Sequence, residues 1–200
     1  SVAARYRKAA GLFVDIVNEP AKVIARLKKL DCPFTAYPHP KDVDLKDEAQ
    51  VHRLAAALEK SAQALKAAGL GLGYHNHALE FFRHGGRTAL EILYTEAPTM
   101  IGEIDTHWVQ AGGSDPVAWC WKLAGRMPIV HLKDYGIAAS DGKPTTFAIG
   151  EGNLNWDGII PALRAGGCRW YIIEQDNCMG QDPFACLKRS RDFLVQRYCR

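Results

Sequence analysis

The chain has 200 residues, 48% hydrophobic and 24% charged, a balance that excludes disordered, collagen-like and low-complexity polymers and allows one packed core. Lys+Arg 25 against Asp+Glu 22 leaves a net charge of +3, too small and too evenly spread for a surface that tracks phosphates, so nucleic acid is not the expected partner. The longest apolar stretches are shorter than the roughly 20 residues of a membrane span, and the N-terminal SVAARYRKAAG lacks the apolar run of a secretion signal. These features predict a soluble protein with no membrane partner. The expected compartment is the cytoplasm, with export left open.

Short β-branched or aromatic runs alternate with longer stretches of helical period, as in repeated β-α units of a mostly parallel sheet. In chain order, helices are predicted at Val2–Ala10, Pro20–Leu30, Asp47–Ala68, Thr88–Glu96, Pro116–Ala124, Trp156–Ala165 and Pro183–Tyr198. Strands are predicted at Leu12–Val17, Phe34–Tyr37, Gly71–His75, Met100–Ile104, Pro128–Leu132 and Trp170–Ile173, six in all. In the longest helix Val51, Leu54, Ala55, Leu58, Ala62 and Leu65 form one apolar stripe. Ser114 or Asp115 can cap the helix that begins at Pro116, and Asn155 the next. No long linker or low-complexity tract interrupts the series, which reads as a single domain over residues 1–200. The six cysteines (Cys32, Cys120, Cys168, Cys178, Cys186 and Cys199) contain no C-x-x-C pair and read as reduced thiols, although an even count leaves one or two bridges open.

Polar residues gather at the C-terminal end of four successive strands. His75, Asn76, His77 and Glu80 follow one strand, and Asp105 and His107 the next. His131, Lys133 and Asp134 belong to the third, and Glu174, Gln175 and Asp176 to the fourth. In parallel α/β folds this is the end where loops converge on a ligand. A histidine with carboxylates from other strand ends is an oxygen-rich mixed donor set, suited to Mn²⁺, Mg²⁺, Co²⁺ or Zn²⁺. His39, His52 and His84 fall outside this group and read as surface or packing residues.

The fragments GYHNHALEF, EIDTHWVQAGGSDP, VHLKD, GEGNLNW and WYIIEQD resemble, in order, the strand-end motifs of the sugar phosphate isomerase/epimerase family, also described as xylose-isomerase-like (β/α) barrels. The resemblance runs from about Leu12 to the C-terminus. It implies a (β/α)8 TIM barrel. Against eight strands and about 250 residues, six strands in this chain correspond to a barrel lacking its first strand-helix-strand. The resemblance further implies a divalent metal, manganese first and Mg²⁺, Co²⁺ or Zn²⁺ as alternatives, held by Glu80, Asp105, His131 and Glu174. His75 stands where many relatives carry the first glutamate, so His75 or His77 is the alternative to Glu80 as ligand.

In such relatives the metal polarises a carbonyl and its neighbouring hydroxyl, and a carboxylate moves the proton of the adjacent C–H through an enediolate. Glu174 is the leading base, and Glu80, His75 or His77 its partner. Lys133 is read as neutralising an oxyanion or binding a substrate hydroxyl, with Asp134 orienting it. His107 and Trp108 are read as sugar contacts, the indole covering C–H groups. Gly150-Glu151-Gly152 is a tight loop where a phosphate could rest, without P-loop spacing.

The expected function is a metal-dependent isomerase or epimerase of a sugar, sugar phosphate or polyol, with a small carbohydrate as partner and a homo-oligomer possible. A dehydratase or lyase of keto-sugars or keto-glycosides, or a non-catalytic sugar-binding paralogue, is the alternative. Phosphodiester cleavage is disfavoured because only one well-matched metal histidine accompanies the weak net charge.

Overall fold

A computed structural model of the chain describes residues 13–38, 40 and 42–199, with side chains from Ile16 onward. The described residues divide into two compact units, one ending at Glu103 and the other beginning at Ile104.

The first unit opens with helices α1 (Phe13–Asn18) and α2 (Pro20–Lys29). A parallel three-stranded sheet follows, in the order β1 (Phe34–Tyr37), β2 (Gly71–His75) and β5 (Ile101–Glu103). Between β1 and β2 runs α3 (Glu48–Ala67), whose N-cap Asp47 accepts from Gln50 N. Its stripe of Val51, Leu54, Ala55, Leu58, Ala62 and Leu65 is buried and packs on β2 and on α4 (Ala89–Glu96). A full capping box starts α4, since Thr88 accepts from Glu91 N while the Glu91 side chain accepts from Thr88 N. A short antiparallel hairpin, β3 (Arg83–His84) and β4 (Arg87–Thr88), precedes it.

The second unit begins with α5 (Thr106–Ala111) and α6 (Pro116–Lys122). A parallel pair follows, β6 (Ile129–Leu132) with β9 (Trp170–Ile173), and an antiparallel hairpin, β7 (Asp134–Ile137) with β8 (Pro144–Phe147). Helix α7 (Trp156–Ala165), capped by Asn155, packs on α6, and α8 (Pro183–Tyr198), capped by Asp182, packs on β9. Asp115, of the two proposed caps, accepts from Val117 N, while Ser114 Oγ accepts from the Trp119 indole.

One strand prediction fails. The run expected as a strand at Leu12–Val17 is helix α1 from Phe13 onward. A short unbroken apolar run does not distinguish the two states, and Phe13, Ile16 and Val17 stand at the i, i+3, i+4 spacing of a helix face. Five of the six predicted parallel strands are therefore present among the described residues. The two hairpins and α5 were not foreseen. The predicted helix at Val2–Ala10 lies outside the described residues. No described helix is long and apolar enough to cross a membrane.

Candidate metal and substrate site

In the second unit the chain leaving β5 runs straight into the site. His131 N donates to Ile104 O at 2.9 Å, and Asp105 pairs with His131 in a parallel bridge. Asp105 is fully buried, caps α5 by accepting from Trp108 N at 3.2 Å, and points its other oxygen elsewhere. A ligand atom of Asp105 and one of His131 lie within 4.8 Å of each other. From the end of β9, Glu174 brings Oε2 to 2.7 Å from His131 Nδ1. Three of the expected ligands, from three separate segments, are thus gathered in one place. Two carboxylates and an imidazole are a donor set that fits a divalent cation preferring oxygen and nitrogen.

Lys133 supplies the positive charge within this acidic group. Its side chain is 2% exposed, and Nζ lies 3.0 Å from Asp105, 3.3 Å from Glu174 and 2.9 Å from Asp176. Thr106 Oγ1 fixes the backbone there, donating to Lys133 O at 2.9 Å and accepting from Lys133 N at 3.0 Å. Burial disfavours the ammonium, but Asp105, Glu174 and Asp176 outweigh it and hold its pKa above the ordinary value. Glu174 shifts the opposite way: the hydrogen bond with His131, against partial burial and helped by Lys133, pulls its carboxyl down to about 2.

Asp134 is placed differently from its expected role beside substrate. It is fully buried and accepts from Tyr135, Gly150, Gly152 and Leu154 backbone amides and from the Trp156 indole. Those partners hold the GEGNLNW loop. A side chain on Gly152 would meet the Asp134 carboxylate at 2.5 Å, so the loop closes on Asp134 only with glycine there. His107 Nδ1 lies 3.0 Å from Asp134 O, its ring edge-on to Trp108, and Lys133 Nζ sits 5.6 Å from the Trp108 ring centre. Beside them opens a cavity of about 250 Å³, lined by His107, Trp108, Tyr135, Thr146, Asp176 and Asn177 among others.

In the first unit the end of β2 carries His75, which is buried, with Nδ1 3.3 Å from Glu103 Oε1. The His77 ring lies edge-on to it, 5.1 Å away. Glu80 is buried, accepting from the Tyr74 hydroxyl and from His77 N, each at 2.8 Å, and burial raises its pKa. His52 pairs with Glu96 and His84 with Leu45 O; His39 lies outside the described residues.

Sequence reasoning places Asp176 in a strand-end cluster without giving it a role, and misses Glu103 beside His75 and Tyr135 in the cavity wall. Asp176 was visible as part of a strand-end cluster. Glu103 was not, because an acidic residue inside a strand reads as a solvated face until its neighbour is known.

A sugar phosphate isomerase/epimerase from Parabacteroides distasonis superposes with a TM-score of 0.74 at 22% identity, covering 93% of this chain and 67% of that one. L-ribulose 3-epimerase gives 0.66 at 20% identity, covering 92% and 67%. The IOLI protein, solved with a bound zinc atom, gives 0.67 at 12% identity, covering 90% and 68%. This chain therefore spans about two thirds of the length of these structures, and the likeness is one of fold. No curated protein matches the sequence. The family model described as xylose isomerase-like TIM barrel matches residues 17–196, nearly all of the sequence from which the strand-end ligands arise, and the chain belongs to that family.

Proposed function

We propose that this chain carries the site of a divalent-metal-dependent isomerase or epimerase acting on a small sugar, sugar phosphate or polyol, built on part of a (β/α)8 barrel that forms one domain. The single observation behind this reading is the convergence of Asp105, His131 and Glu174 around the buried Lys133. Sugar isomerase and epimerase names among the structural neighbours support it.

Asp105, His131 and Glu174 would hold the cation. Within the first unit both Glu80 oxygens already accept hydrogen bonds, whereas His75 has a carboxylate beside Nδ1, the arrangement that orients an imidazole so that Nε2 can ligate. Glu80 then anchors the His75–His77 turn. Manganese is the first choice of metal. When bound, the ion supplies Lewis-acid stabilisation of an enediolate.

The chain's own groups do the rest. Glu174 is ionised at neutral pH and accepts the proton from the substrate carbon. Its basicity rises as Lys133 turns its ammonium from Glu174 toward the developing oxyanion, since that removes one of the partners holding its pKa down. Trp108 and His107 line the sugar side, and Asp134 acts on the site by holding the 150–156 loop.

Calorimetric titration with Mn²⁺ tests the site. His131→Ala and Asp105→Asn are expected to weaken binding at least about tenfold, roughly 1.4 kcal/mol. Wild-type protein that binds no divalent ion, or a His131→Ala variant of unchanged affinity, overturns the proposal. Ketose incubation in D₂O separates the chemistries. Exchange at the carbon next to the carbonyl is expected; release of water or an aglycone would instead indicate the dehydratase or lyase.

A further inference from the structure

The cavity of about 250 Å³ beside the lysine cage is lined by one carboxylate, Asp176, and by neither lysine nor arginine among the described residues. Its wall is held in place. Thr146 Oγ1 donates to Asn177 O and accepts from Asn177 N, each at 3.0 Å, which pins the segment after β9 to β8. His107 Nδ1 donates to Asp134 O at 3.0 Å, and because a carbonyl only accepts, the neutral ring keeps Nε2 as an acceptor. Tyr135 and Thr145 line the same space, each with a hydroxyl. A carboxylate, an imidazole nitrogen and hydroxyls are partners for the O–H groups of a sugar.

Lys133 does not offset the charge of this wall. Its three N–H donors face Asp105, Glu174 and Asp176, so three carboxylates and one ammonium leave two negative charges beside the cavity. A divalent cation held by Asp105 and Glu174 cancels those two and leaves no positive charge over for a phosphate dianion. On the β7–β8 hairpin, Lys143 is exposed and faces Asp141 at 3.9 Å.

The places in this unit where a phosphate would ordinarily sit are filled by the chain itself. Gly150 N and Gly152 N, the amides of the tight glycine loop, donate to Asp134 Oδ2 at 2.8 and 3.1 Å, with Leu154 N and the Trp156 indole on the same carboxylate. The anion in that loop is therefore Asp134. Backbone N–H groups at a helix N-terminus also attract phosphate, but α5, α6, α7 and α8 are capped by Asp105, Asp115, Asn155 and Asp182.

We propose that this cavity takes the unphosphorylated, hydroxyl-bearing end of a ketose or polyol and rejects a phosphate ester there, with Asp176 as the specificity-determining residue. This rests on the isomerase or epimerase reading above and narrows its substrates to free sugars. Lys133 holds Asp176 Oδ2 at 2.9 Å and so fixes the carboxylate, while the side chain remains 45% exposed. Oδ1 accepts from substrate hydroxyls, and the same charge repels a phosphate.

Binding and chemistry are read separately in the test. Saturation-transfer NMR compares D-fructose with D-fructose 6-phosphate on the Mg²⁺-loaded chain and on the metal-free chain. In both, D-fructose is expected to bind at least about tenfold more tightly. Asp176→Asn lowers that ratio at least about threefold, which a merely loosened fold, weakening both ligands alike, does not do. Thr145→Lys adds a cation to the wall and raises affinity for the phosphate ester. Circular dichroism confirms that each variant is folded. Equal or tighter binding of the 6-phosphate, a ratio that neither variant moves, or binding of neither sugar overturns the proposal. Hydrogen exchange in D₂O is followed on the loaded samples. A preference for D-fructose without exchange leaves this specificity standing and removes the isomerase or epimerase reading, whereas exchange with a preference for the 6-phosphate does the reverse.

Discussion

Replacing Lys133 by methionine keeps the length of the side chain and removes its charge, leaving the carboxylates of Asp105, Glu174 and Asp176 facing one another. Removing one partner of a buried ion pair costs about 3–5 kcal/mol, because the remaining charge stays desolvated. Glu174 and Asp176 are 39% and 45% exposed and water screens them, so the cost falls on Asp105, which is fully buried. The lower end, about 3 kcal/mol, is therefore expected. At roughly 2–4 °C per kcal/mol for a chain of this size, the thermal midpoint in metal-free buffer drops by about 6–12 °C. Adding Asp105→Asn to Lys133→Met removes the stranded charge and should recover most of the loss, which differential scanning calorimetry of the single and double variants measures. A Lys133→Met midpoint within about 2 °C of wild type, or a double variant no better than the single, would refute the assignment of the ammonium as the charge that makes this acidic group tolerable.

Asp134→Ala leaves four buried or half-buried loop amides and an indole N–H without their shared acceptor. A loss of at least about 3 kcal/mol in urea unfolding is expected, several times that of a surface substitution. At the end of α8, Arg197 and Tyr198 donate to Asp157 of α7, each at 2.8 Å. The hydrogen bond from Arg197 first, then that from Tyr198, brings the Asp157 carboxyl down to about 2 from 3.8. Because the folded-state pKa is depressed, this staple contributes above pH 3.8 and is lost as pH falls through about 2. An NMR titration of the Asp157 carboxyl should show that low midpoint, and Arg197→Met should return it toward 3.8; an unshifted wild-type midpoint would count against the staple.

Much of the architecture was legible because local signals agreed. Phe34–Tyr37, Gly71–His75 and Trp170–Ile173 appear as strands with the limits expected. Asp47, Asp115 and Asn155 cap helices where an oxygen-bearing side chain precedes an apolar period. The grouping of Asp105, His131 and Glu174 was also readable, since each stands at or just past the C-terminal end of a strand, the end where ligands gather in parallel α/β folds. The run from Phe13 to Val17 was not, because a few consecutive apolar residues satisfy both periods and only packing chooses between them.

What the sequence determined by itself was the alternation of strand and helix, the capping residues and the clustering of polar groups after strands, because each is written within a few neighbouring positions. Only tertiary structure decided what those polar groups do. Lys133 and Asp134 are adjacent in the chain, yet one enters a cage of carboxylates and the other holds a loop from Gly150 to Trp156. Successive residues in extended backbone point to opposite sides, and what waits on each side is brought there by segments 16 to 43 residues away.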